Sequence, residues 1–146
     1  MKAVFVDTGG WVACADRADP AHESCRAARD LALEAGHELM TTDLVIDETL
    51  TSIRFRLGLG AAISWWQQIE SSLRLRRERI GTERFERARQ LFFRWRGTDL
   101  SFTDCTTVVL MRELRLTTLI TTDAHYRKLG FKVLPDFPSR RSRAIG

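Results

Sequence analysis

Cysteine is scarce in this 146-residue sequence, and the three present, Cys14, Cys25 and Cys105, are odd in number, far apart and free of any CxxC spacing. That pattern suggests neither a disulfide framework nor a cysteine-based zinc site, and reads as three reduced, partly buried small residues. Long apolar runs are missing as well: none approaches the roughly 20 residues that a bilayer crossing needs. The apolar start Ala3–Val6 is stopped by Asp7 before the core of a signal peptide could form, so the expected location is the cytoplasm. Repeats, low-complexity tracts and Pro/Gly-rich linkers are absent too. One folded unit is expected over residues 1–138, followed by a polar, basic and loose tail at 139–146.

What is there suits a soluble globular protein, with 44% hydrophobic and 29% charged residues in a chain long enough to bury a real core. Net charge is +4, from 23 Lys and Arg against 19 Asp and Glu, and most of the excess is arginine in the second half. A basic, arginine-rich surface favours a polyanionic partner, although many basic proteins bind no nucleic acid.

The run Ala3–Val6 is continuous, β-branched and aromatic, the pattern of a strand covered on both faces. Residues 20–35 open with Pro20 in a first helical turn and close before Gly36. A short strand, HELMTT, follows. From Asp43 the pattern turns helical, since Ile46, Leu50, Ile53 and Leu57 recur at spacings of four, three and four until Gly58. AAISWWQQIESS reads as another helix, and LRLRR, alternating apolar with basic, as a third strand. Thr82 is expected to cap a helix with Phe85, Ala88, Leu91 or Phe92, and Trp95 on one face, closed by Gly97. Ser101 is the expected cap of a helix through DCTTVVLMREL; TLITT is then a strand, AHYRKL a short helix stopped by Gly130, and KVLP a last strand. Alternating strands and helices argue for an α/β fold with a parallel sheet, whose sites gather beyond the carboxyl ends of the strands.

Four acids fall in order along this frame. Asp7 follows the first strand, Glu48 lies in the helix after the second, Asp104 opens a later helix, and Asp123 follows TLITT. Taken singly, most are explained without chemistry: Asp7 and Asp123 as N-caps, and Ser101 with Asp104 as a capping pair that also complements the positive helix end. Glu48 fits that explanation poorly, and its plain reading is a solvated helix surface. If the four converge, their repulsion needs an offset, because two unit charges 4 Å apart repel by about 1 kcal/mol in water and about 4 at an effective dielectric of 20. A divalent cation is the simplest remedy. Oxygen ligands without a cysteine or histidine cluster favour Mg2+ or Mn2+ over zinc, and such ions suit phosphodiester hydrolysis.

Four blocks carry a family resemblance across essentially the whole chain: VFVDTGGWVA, TTDLVIDETLT, DLSFTDCTTVVLMRELRL and LITTDAHYRKLGFKVLP. In this order they resemble the PIN-domain ribonucleases, and within them the VapC-type toxins of bacterial and archaeal toxin–antitoxin pairs. The resemblance implies a three-layer α/β/α sandwich around a central, mainly parallel sheet, and an endoribonuclease that hydrolyses RNA phosphodiester bonds with Mg2+ or Mn2+. It maps the family's acidic quartet onto Asp7, Glu48, Asp104 and Asp123. Asp7, Asp104 and Asp123 would hold the metal directly or through water, and Glu48 would bind metal or orient the attacking water. Asp99 occupies an accessory acidic place, while Thr8 and Thr121 stand where small hydroxyl residues support the acids. The resemblance also implies a homodimer and a small VapB-like antitoxin that blocks the acidic groove with a segment carrying a basic residue. One departure is the pair Gly9-Gly10 directly after Asp7-Thr8, expected to loosen the first helical turn.

An acidic centre repels phosphate, so RNA would have to be drawn in by a basic surround. From Arg74 to Arg96 there are nine arginines against three glutamates, and Arg87 and Arg89 are the candidates to grip the backbone. The plain alternative is a solvated helix face laced with pairs such as Glu83 with Arg87. His125 reads as a surface or capping histidine rather than a phosphate contact, and Trp65 and Trp66 as core or dimer interface rather than base-stacking platforms. Two other functions share the pattern: a housekeeping PIN nuclease in RNA processing without an antitoxin, and a nucleic-acid-binding domain that has lost catalysis. The complete quartet argues against the second of these.

Overall fold

The computed structural model describes residues 2–136, so the expected tail at 139–146 and the expected end of the folded unit at 138 lie outside the described residues. Five strands, β1 Ala3–Val6, β2 Glu38–Thr42, β3 Leu75–Glu78, β4 Thr118–Ile120 and β5 Lys132–Leu134, form one sheet in the order β3-β2-β1-β4-β5. Every pairing in it is parallel. Six α-helices alternate with them: α1 Thr8–Ala15, α2 His22–Glu34, α3 Asp43–Leu57, α4 Leu59–Ser71, α5 Gly81–Arg94 and α6 Phe102–Glu113. A 3-10 helix, Ala124–Leu129, precedes β5. The architecture is the three-layer α/β/α sandwich that the resemblance implied.

The continuous apolar runs explain why β1 and β4 occupy the middle. Val4, Phe5 and Val6 are all buried, as are Leu119 and Ile120, which requires cover on both sheet faces. β3, by contrast, is an edge strand whose Arg76 and Arg77 are exposed, and the Arg77 guanidinium lies 5.0 Å over the Trp66 ring. Trp65 belongs to the core: its ring meets Trp11 edge-on at 5.7 Å, and the Trp11 indole donates to Thr41 Oγ1 at 3.2 Å.

Two helix details differ from the sequence expectation. On α3 the buried positions are Val45, Ile46, Thr49 and Ile53, whereas Leu57 is 39% exposed; the packed stripe against α1 and α4 ends one turn early. Thr82 does not cap α5. The helix begins at Gly81 after Ile80, whose backbone N–H is fixed by Asp43 Oδ1 at 3.0 Å, so the tether to the start of α3 decides where the turn forms.

The two glycines after Thr8 have a packing role instead of loosening α1, which starts directly behind Asp7. A Cβ on Gly10 would lie 2.5 Å from the Ile120 carbonyl oxygen, and one on Gly9 would lie 2.5 Å from Thr122 Oγ1. Only a residue without a side chain lets the first turn of α1 close onto β4 at Gly10. Gly10→Ala is therefore expected to lose about 1–3 kcal/mol in thermal or urea unfolding, because its obstacle is backbone. Gly9→Ala should lose less, since the Thr122 hydroxyl can rotate aside; equal losses would contradict this packing account.

Candidate active site

β1 and β4 are neighbours with Val6 opposite Ile120, so the chain leaves both strands at the same edge and delivers Asp7 and Thr121 side by side. The Asp7 backbone N–H still reaches Ile120 O at 3.2 Å. Its side chain is the N-cap of α1, with Oδ1 accepting from the Gly10 N–H at 3.0 Å and Oδ2 from the Thr121 hydroxyl at 2.7 Å. Thr121 Oγ1 in turn accepts from the Asp123 N–H at 3.0 Å, which sets the turn that carries Asp123.

Asp104 enters from α6. It forms a capping box with Ser101, whose N–H donates to Asp104 Oδ2 at 3.1 Å while its hydroxyl accepts from the Asp104 N–H at 3.0 Å. The other oxygen, Oδ1, accepts from the Tyr126 hydroxyl at 2.8 Å. Asp123 caps the 3-10 helix through the His125 N–H, and its Oδ1 also lies against His125 Nδ1. His125 Nε2 stands 3.4 Å from Asp104 Oδ2, off the line a hydrogen bond needs. Ligand atoms of Asp104, Asp123 and His125 all lie within 4.8 Å of one another, a spacing that one metal ion can span.

The electrostatics follow from burial. Desolvation pushes the Asp7 carboxyl up to about 7; the Thr121 and Gly10 hydrogen bonds act in the opposite sense, and the charges of Asp104 and Asp123 raise it further. Burial likewise drives the Tyr126 phenol well above its ordinary value, with Asp7, Asp104 and Asp123 adding to it, so Tyr126 is a fixed donor to Asp104. The adjacent Cys105 thiol is pushed up to about 11 by burial and then by Asp104, which rules it out as a nucleophile. Two buried polar atoms beside these acids, Thr8 Oγ1 and His125 Nε2, have no hydrogen-bond partner. Carboxylate oxygens with one imidazole and unsatisfied neighbours fit a divalent cation, and the nitrogen suits Mn2+ better than Mg2+.

The other sequence candidates sit further out. Glu48 is exposed on α3 and makes no hydrogen bond or ion pair among the described residues. One turn after it, Ser52 joins Thr8, Gly9 and Thr122 around a hollow of about 110 Å³. Asp99 is tied by the Trp95 indole at 2.9 Å and by Lys128 Nζ at 3.2 Å, and these two contacts, Trp95 first, hold its carboxyl below the usual range. It thus joins the loop before α6 to the 3-10 helix instead of meeting the other acids. Arg87 pairs with Glu83 at 2.7 Å and Glu113 at 3.5 Å, and Arg89 with Glu86 at 2.9 Å, the laced helix face that the i,i+4 spacing allowed. The sequence reading missed two residues: His125 is buried, not superficial, and Tyr126, the chain's single tyrosine, went unread. The available signal was their position, two and three residues after an acid.

The sequence pattern of the PIN domain matches residues 4–132. The chain belongs to the PIN-domain family. Among solved structures, this PIN domain is similar to the Mycobacterium tuberculosis VapC20 toxin, described as cleaving the sarcin-ricin loop. The TM-score is 0.77 at 27% identity, over 88% of this chain and 95% of that one. It also resembles the Rickettsia felis VapBC2 structure, bound to a promoter DNA fragment, with a TM-score of 0.66 over 90% of this chain and 96% of that one; at 12% identity that likeness speaks for the fold alone. Sequence comparison with curated proteins finds no match.

A carboxyl raised from 3.8 to about 7 holds more protons folded than unfolded, so without metal the Asp7 contribution to stability is greatest below pH 4 and is lost as pH rises through 7. A cation that needs the ionised form reverses that cost. Mn2+ is expected to raise the melting temperature more at pH 8 than at pH 5, by scanning calorimetry, and a pH-independent increment would count against Asp7 as a ligand. Tyr126→Phe keeps the ring but removes the donor to Asp104, and should weaken Mn2+ binding by about ten-fold in titration calorimetry; unchanged affinity would show that the phenol does not position the carboxylate.

Proposed function

We propose that this PIN domain is a VapC-type endoribonuclease that hydrolyses RNA phosphodiester bonds with Mg2+ or Mn2+, and that it is the toxin of a toxin–antitoxin pair. The observation that carries the reading is the gathering of Asp7, Asp104, Asp123 and His125 at the carboxyl edge of β1 and β4, beside two unpartnered buried polar atoms. The likeness to an RNA-cleaving toxin over most of both chains supports the substrate class.

In this mechanism Asp104, Asp123 and His125, together with Asp7, would hold the ion. The ion, when bound, supplies positive charge that polarises the scissile phosphate and neutralises the departing oxygen. Thr121 fixes Asp7 through Oδ2, and Tyr126 fixes Asp104 through Oδ1, so both carboxylates are oriented before substrate arrives. Glu48, exposed on α3 one turn before Ser52, orients the attacking water. Thr8 supports it from the first turn of α1, and Asp99 steadies the 3-10 helix through Lys128. Arg87 and Arg89, with side chains 51% and 43% exposed, flank the path of the RNA backbone and share their charge between glutamates and phosphates. The controlling partner is a small VapB-like antitoxin that covers the acids with a basic side chain, and the working unit is a homodimer.

Purified protein is expected to cleave single-stranded RNA in Mn2+ and to stop on addition of EDTA. Asp7→Ala or Asp104→Ala should lower the cleavage rate by more than about 100-fold with an unchanged circular dichroism spectrum. Full activity in either variant, or cleavage that survives EDTA, would refute the assignment.

A further inference from the structure

The amino ends of the strands, opposite the acids, carry a second concentration of charge of the other sign. In the order β1-β4-β5, three neighbouring strands are each entered through a cation: Lys2 directly before β1, Arg115 three residues before β4, and Lys132 at the first position of β5. Adjacent strands lie about 4.8 Å apart, so the two outer entrances are separated by about 10 Å. These three side chains line one concavity of about 520 Å³ together with His37, and no carboxylate lines it. None of the three makes a side-chain hydrogen bond or ion pair among the described residues, whereas Arg84, Arg87 and Arg89 on α5 are all engaged by glutamates.

Three further features mark a built pocket. Arg115 adopts φ 56°, the left-handed region where glycine costs least, yet the position bears a guanidinium. His37, which also lines it, has its Nδ1 buried without a hydrogen-bond partner. The walls are mixed: Leu114 and Leu116 are half-buried and offer apolar surface, while the Thr117 and Thr118 hydroxyls lie 3.4 Å apart. The volume falls within the range of small-molecule sites, roughly 300–1,000 Å³.

We infer that this concavity is a nucleotide phosphate site, distinct from the acidic centre: Lys2, Arg115 and Lys132 take the phosphate, the threonine hydroxyls the ribose, and the two leucines one face of the base. An anion is the chemistry that three unpaired cations lining one concavity recognise, and guanidinium with ammonium is a phosphate-binding set. The same phosphate could belong to a free mononucleotide or to the end of an RNA strand. The site stands on its own geometry and is independent of the nuclease reading.

The test is an amide NMR titration of the full chain in EDTA, with adenosine 5′-monophosphate, adenosine and a 5′-phosphorylated RNA tetranucleotide as probes. The monophosphate is expected to shift the amides of Thr117, Thr118 and Lys132, with adenosine binding about ten-fold more weakly or worse. Arg115→Gly, which also relieves the backbone, and Lys132→Glu, at an exposed position, should each weaken the monophosphate by about ten-fold. Equal binding of the tetranucleotide assigns the site to strand ends, and binding of the monophosphate alone assigns it to free nucleotides; either supports the inference. It is overturned if the monophosphate does not bind, if adenosine binds equally well, if both folded variants bind unchanged, or if the shifts fall only around Asp7, Asp104 and Asp123.

Discussion

Carboxylates repel one another, and this fold gathers three of them by giving each a helix to begin. Asp7 caps α1, Asp104 closes the capping box of α6, and Asp123 caps the 3-10 helix, so each negative charge sits where backbone N–H groups are unpaired and the helix end is positive. The cap and the acid cluster are therefore one device. Asp7 and Asp104 each give one oxygen to their helix and have the other held by a hydroxyl, that of Thr121 and that of Tyr126. Where that local compensation falls short, at the buried Asp7, the carboxyl is pushed up to about 7.

The order of elements was legible because the chain punctuates itself. Gly36, Gly58 and Gly130 stop helices where the structure shows left-handed or otherwise positive φ, and the unbroken apolar runs of β1 and β4 announce central strands. Asp7, Asp104 and Asp123 were legible for a related reason, since an acid just after a strand or just inside a helix is conspicuous. What the sequence concealed was lateral. Nothing in DAHY shows that the imidazole is buried between two acids or that the phenol reaches back to Asp104, because both depend on the 3-10 helix folding under α6. The start of α5 was hidden for the same reason: its position is set by Asp43, nearly forty residues away.

Arginine on α5 shows how a compositional signal divides once partners are visible. The surplus between Arg74 and Arg96 suggested a continuous basic surface, yet Arg84 is drawn to Glu113 and Glu78, lashing α5 to α6 and to β3. The hydrogen bond to Glu113, with a smaller share from Glu78, raises the Arg84 guanidinium above its already high value against the opposing effect of burial. Part of the basic count is thus structural mortar, while Arg79, Arg94 and Arg96 of the same stretch make no ion pair among the described residues.

The fit of Gly10 against the Ile120 carbonyl couples the acids to the core. Because no atom can be interposed there, Asp7 stands in its place only with α1 docked on the pair of central strands, so the acid cluster and the core form one packing unit. On the toxin reading, whatever loosens that seam disarms the acids along with the fold, and restraint that leaves the fold intact has to come from outside the polypeptide.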